Sequence, residues 1–119
     1  MKNLELLNLS QTIQSCFNFK GIKFAYAIAK NAKLIQREVE PLVDTIKSLQ
    51  EQYAEKDADG KAVIVDNQYK MADLEKFSTE YQILMNIDVD ITLHKVKQED
   101  LPADISAAQI LPIMEMIED

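Results

Sequence analysis

Glu55, Asp57, Asp59, Gly60 and Asp66 occupy positions 1, 3, 5, 6 and 12 of a twelve-residue calcium loop. Oxygen ligands at alternate positions, with a glycine at the bend, are what a hard cation requires. The run departs from that pattern at three places. Position 1 is Glu where Asp is usual, position 12 is the shorter Asp66, which reaches less well for bidentate binding, and position 8 is the small Ala62. The β-branched run Val63-Ile64-Val65 also favours a strand over an exiting helix. A charged turn leading from a helix into a hairpin therefore stands as the first reading, with a divalent cation on Glu55, Asp57, Asp59 and Asp66 as its alternative.

Other chemistry is sparse. His94 is the one histidine and Cys16 the one cysteine, so they form the only conceivable nucleophile–base pair. Cys16 falls near the end of its helix and not at an N-terminus, which favours a buried inert thiol beside a surface histidine. Glu38 and Glu40 point to different helical faces, while Glu40 and Asp44 at i, i+4 repel mildly. No glycine-rich phosphate loop is present. We expect no catalytic residues and no cofactor. A ligand pocket would need Tyr69, Tyr81 and His94 to meet between sheet and helix, near Lys30 or Lys33.

One element dominates the positioning of these residues. Phe24, Ile28, Ile35, Val39, Leu42, Ile46, Leu49 and Tyr53 fall on one face at about 100° per residue. A helix from Gly21 to Glu55 carrying that stripe spans about 50 Å. Pro41 interrupts it; because the stripe continues in register, the expectation is a kink, with two helices joined at Pro41 as the alternative. Part of the stripe needs covering by a second helix or a second copy, and Ile35, Val39, Leu42, Ile46, Leu49 and Tyr53 form the expected self-association seam. The polar side divides by charge. Lys20, Lys23, Lys30, Lys33 and Arg37 share an arc of roughly 140°, and beyond them the exposed positions turn acidic with Glu38, Glu40, Asp44 and Glu51.

Shorter elements follow from periodicity. Residues 4–18 place Leu6, Leu9, Ile13, Cys16 and Phe17 near helical spacing, with Gly21 as an expected C-cap. Residues 62–65 and 68–71 read as a hairpin around Asp66-Asn67. Residues 72–86 read as a helix carrying Leu74, Phe77, Tyr81, Leu84 and Met85. Val89 to Val96 alternates strictly and predicts the third member of a small antiparallel sheet. Asp104 or Ser106 caps a last short helix that Pro112 weakens, and Glu118-Asp119 is expected to fray. The fold class is α+β and helix-rich: a long helix, kinked or divided into a helical hairpin, with a three-stranded antiparallel sheet.

With 119 residues, 47% of them hydrophobic, the chain is one domain, 1–119, with a modest core. Two glycines and three prolines are too few for a sandwich or barrel. A net charge of −7 disfavours general attraction to nucleic-acid phosphates. A lone cysteine allows no intrachain disulfide, and no run reaches the length of a membrane span or a signal-peptide core. A soluble protein of a reducing cytoplasm is expected.

Four phrases carry a resemblance: Lys20-Gly-Ile-Lys-Phe-Ala-Tyr-Ala-Ile-Ala-Lys-Asn31, Tyr53-Ala-Glu-Lys-Asp57 with Gly60-Lys61, Asn67-Gln-Tyr-Lys70, and Leu101-Pro-Ala-Asp-Ile-Ser-Ala-Ala-Gln109. Together they resemble small bacteriophage and prophage proteins of similar length and the same helix–hairpin–helix–strand order. The resemblance implies no active site. It implies a phage or mobile-element protein working in the bacterial host cytoplasm or in a virion. The expected function is non-enzymatic protein–protein interaction: self-assembly into a homo-oligomer, or contact with a host or virion protein. The alternative is a small-ligand or divalent-cation binder, including a counter-defence sequestering role.

Overall fold

The computed structural model describes residues 1–118. Helix α1 (Asn3–Ser15) buries Leu6, Leu9 and Ile13 on one side, as their spacing requires. Its end is not made by Gly21. Cys16 N–H donates to the Ile13 carbonyl at 3.0 Å, and Phe19 N–H donates to that of Cys16, so the chain leaves through a tight turn. Gly21 instead precedes α2 (Ile22–Tyr53) at φ 110°, a conformation that side chains other than hydrogen rarely adopt.

The 32 residues of α2 run unbroken through Pro41, about 48 Å, so the long helix is one element and not a helical hairpin. Pro41 lies on the exposed side, as does Arg37, whose carbonyl the missing N–H leaves without a helical donor. One turn later, Thr45 Oγ1 donates to the Pro41 carbonyl at 2.7 Å.

Strands β1 (Ile64–Val65) and β2 (Gln68–Tyr69) form the expected antiparallel hairpin. Asp66 and Asn67 take φ 52° and 64°, both left-handed, as a type I′ turn demands. The third stretch against this hairpin is not residues 89–96. It is the segment leaving α2: Glu55 N–H donates to the Lys70 carbonyl at 2.7 Å, Val63 N–H to Glu55 at 2.8 Å, and Asp57 N–H to Lys61 at 2.8 Å. Adjacent chain reaches an edge at lower loop-closure cost than a segment that begins about twenty residues beyond the hairpin.

Helix α3 (Leu74–Met85), capped by the Asp73 carboxylate on Lys76 N–H at 3.1 Å, packs on α2 and buries Met85. Residues 86–95 are extended but largely unladdered: Val89 N–H donates to the Met1 carbonyl, and Leu93 enters the core. Only Val96–Lys97 (β3) becomes a strand, and it pairs in parallel with β4 (Ile117–Glu118), Val96 beside Ile117 and Lys97 beside Glu118. Two separate two-stranded pairs thus replace the expected three-stranded sheet. Glu118 is paired where fraying was expected; Asp119 lies outside the described residues.

A 3-10 turn (Gln98–Asp100), the one-turn helix α4 (Ala107–Ile110) and a 3-10 segment (Leu111–Met116) link β3 to β4. Ser106 and Gln109 cap α4 reciprocally, Gln109 N–H on Ser106 Oγ and Ser106 N–H on Gln109 Oε1. Ile113 and Met116, both fully buried, close a core made with Leu6, Leu9, Ile13, Phe24, Ile28 and Ile35. The molecule measures 59 × 27 × 22 Å. No helix among the described residues is long and apolar enough to cross a membrane.

Candidate functional site

The turn after α2 does not assemble a cation cage. Asp57 Oδ1 accepts from the backbone N–H groups of Asp59 and Lys61, both at 2.9 Å, which uses that carboxylate to shape the turn. Glu55 pairs with Lys70 at 3.4 Å, and Asp66 sits at the hairpin tip with positive φ. No group of three or more His, Cys, Asp or Glu side chains arranged to hold a metal occurs among the described residues.

The five expected ligand residues are dispersed as well. Tyr69 Oη donates to Glu51 at the far end of α2, and the Tyr81 ring stacks on Phe77 at 5.7 Å. The His94 ring meets Tyr26 edge to face at 5.6 Å, and Lys30 stands 5.9 Å above the same Tyr26 ring. Lys33 is exposed on α2. Because residues 89–95 form no strand beside the hairpin, the pocket that required that sheet does not exist. Cys16 is buried beside Ser15, and burial pushes its thiol above its ordinary value, with the Ser15 hydroxyl acting weakly in the opposite sense. It does not pair with His94.

The apolar stripe of α2 is consumed unevenly. Ile35 and Leu42 are buried within the chain itself and offer no seam, while Val39, Ile46, Leu49 and Tyr53 are half-buried. The Tyr53 hydroxyl donates to Glu80 at 3.0 Å; that hydrogen bond, with the nearby carboxylates, holds its pKa up. The open apolar surface lies one arc away, where α1 and α2 diverge into a groove of about 680 Å³. Ser10 and Gln14 of α1 and Phe17 in the turn after it line one side; Gln36, Val39, Glu40, Val43 and Asp44 of α2 line the other. Phe17 and Val43 are half exposed there, at 56% and 50%. Ala32 completes the lining with a small side chain.

Asn31 is the residue that sequence reasoning missed. It occupies a slot in the stripe between Ile28 and Ile35 and is fully buried. Its Nδ2 donates to the His94 carbonyl at 2.9 Å and its Oδ1 accepts from His94 N–H at 2.7 Å. This two-point clasp satisfies the backbone of a segment that has no ladder of its own. An amide at a stripe position i+3 from one isoleucine and i−4 from the next was the available signal.

A second concavity, about 230 Å³, opens beside that clasp, where Lys23, Tyr26, His94, Lys95 and Lys97 face Asp100 and Glu118. Compared with known proteins, the chain matches no family model, no curated protein and no solved structure.

Proposed function

We propose that this chain acts by contact with another protein and not by catalysis, as a bacteriophage or mobile-element component of the host cytoplasm or the virion. The observation that carries the reading is surface. A compact monomer of 13.6 kDa exposes about 6,600 Å², whereas this one exposes 8230 Å². Its radius of gyration is 18.1 Å against about 13.5 Å for a compact chain of this length. The excess, roughly 1,600 Å² on this one chain, is about twice the 800 Å² that each partner gives to a standard protein–protein contact. The α1–α2 groove, with Phe17 and Val43 half exposed, contributes apolar surface to that excess. The phage context rests on the resemblance of the four sequence phrases.

A photo-crosslinking residue at Gln36, inside the groove, tests the reading in producing bacteria. The expected result is a discrete protein adduct that disappears when Phe17→Glu and Val43→Glu are added. No adduct, or one indifferent to both changes, rejects the groove as a working surface.

The cleft where Lys23, Lys95 and Lys97 outnumber Asp100 and Glu118, beside Tyr26 and His94, favours a second reading, a small anionic ligand held for sequestration. Thermal shifts with nucleotides and inorganic phosphate, lost in Lys97→Glu, are its expected signature. Flat melting curves with every anion count against it.

A further inference from the structure

We propose that the partner on the α1–α2 face is a second copy of this chain, packed antiparallel about a two-fold axis passing between residues 38 and 39 of α2. The inference rests on the interaction reading above and names its partner.

Lys33, Arg37, Glu40 and Asp44 follow one another at spacings of four, three and four, within about 60° of arc. All four are exposed. Within one chain this order sets two like-charge pairs at i, i+4, Lys33 with Arg37 and Glu40 with Asp44, against one opposite-charge pair at i, i+3, Arg37 with Glu40. Among the described residues none of the four makes an ion pair in its own chain. Glu40 accepts only a hydrogen bond from Gln36, at 3.3 Å.

The pairs Lys33 with Asp44 and Arg37 with Glu40 are each symmetric about the same point of the helix. An antiparallel copy therefore sets Lys33 opposite Asp44 of the second copy and Arg37 opposite Glu40 of the second copy, each twice by symmetry. A parallel copy sets every charge against its own kind, so the pattern selects the orientation. Lys30 and Lys47 are also equidistant from the axis, but they lie on opposite flanks of the charged row, about 100° apart, and do not face each other.

Helix α1 supplies an independent observation. Residues 6–19 carry no charged side chain, where the chain's 28% average would place about four. Depletion of charge marks the central part of protein interfaces, with charged residues moved to the rim. Here the uncharged wall beside α1 faces the groove, Glu40 and Asp44 of the charged row line its α2 edge, and Lys33 and Arg37 continue the row outside it. Val43 follows Leu42, which shares a depression with Asn3 near the start of α1, whereas Phe17 follows the end of α1. The two-fold axis brings Phe17 of one copy toward the Val43 end of the other. A standard contact takes about 800 Å² from each partner, a tenth of the 8230 Å² exposed here.

Light scattering at two concentrations tests the pairing on the purified chain, on Arg37→Glu and on the swap Arg37→Glu with Glu40→Arg. The unmodified chain is expected at twice 13.6 kDa. Arg37→Glu, which sets like charges face to face at both symmetric points, is expected to weaken association at least about tenfold, with unchanged helix content by circular dichroism. The swap restores the pair with reversed polarity and is expected within about threefold of the original. A dimer indifferent to Arg37→Glu, or one that the swap fails to restore, overturns the antiparallel register. Monomer mass throughout, with a Gln36 adduct to a different protein in cells, overturns the second copy and leaves the interaction reading standing. Monomer mass with no adduct removes both.

Discussion

Asn31 holds the irregular half of this protein to its long helix by two hydrogen bonds to one residue's backbone. Replacing it by leucine keeps the volume and leaves the N–H and C=O of His94 buried without partners. Each such orphan costs about 1–3 kcal/mol, so Asn31→Leu is expected to lower unfolding free energy by about 2–4 kcal/mol in urea titration. An unchanged midpoint would show that water replaces the amide. Cys16 gives a different readout. Its raised pKa means the folded state holds the proton more tightly, so its contribution to stability is complete below the unfolded thiol value of 9.0 and is lost as pH rises through the higher folded value. A thiol reagent at pH 8 is expected to label native Cys16 slowly and the urea-unfolded chain fast. Burial of this thiol was legible from its apolar neighbourhood; the role of Asn31 was not, because periodicity marks a slot as inward without saying which backbone it will meet.

At the scale of elements, proline in the middle of α2 is a standing cost, since one helical hydrogen bond is missing. Pro41→Ala is expected to raise stability by about 1–3 kcal/mol. No gain in melting temperature would mean that α2 has already relaxed around the ring. In the hairpin, Asn67→Gly suits the φ of 64° and is expected to be neutral or stabilising, while Asn67→Val is expected to cost about 1 kcal/mol or more. The stripe, the I′ turn and α3 were all legible because local periodicity and turn chemistry determine them. Residues 89–96 show where that logic ends. Val89, Ile91 and Leu93 do point inward and Asp90 and Thr92 outward, so the alternation was real. The segment packs on helices and not beside a strand, and after His94 the phase shifts, leaving Lys95 exposed and Val96 buried. Alternation reports two faces of an extended chain; it does not supply a neighbour to pair with.

For the whole molecule, the core is closed by its last described stretch, where Ile113 and Met116 are fully buried against α1 and α2. Ile113→Ala is expected to cost about 2–5 kcal/mol and to shift one cooperative transition seen alike by helix content and tyrosine fluorescence. Two separated transitions would instead mean that this segment folds as an independent lid. The candidate site was half legible. The charge division of α2 stands in the sequence, but of the six stripe residues expected as a seam Ile35 and Leu42 are buried by the chain itself, because nothing local reveals which arc of an amphipathic helix its own chain will cover. The spacing of the contacts that close the core bears on how the molecule is made. Asn31 meets residues 63 and 85 positions away, and Met1 lies against Val89. A helical turn forms in under a microsecond, but loops of that length must be searched before their contacts reward the search. Refolding is therefore expected to be slower than in a helical bundle of equal size, with α2 formed early and its stripe bare in the interval. Stopped-flow fluorescence reads that lag, and its yield is expected to fall as protein concentration rises, since bare stripes on different chains find each other first.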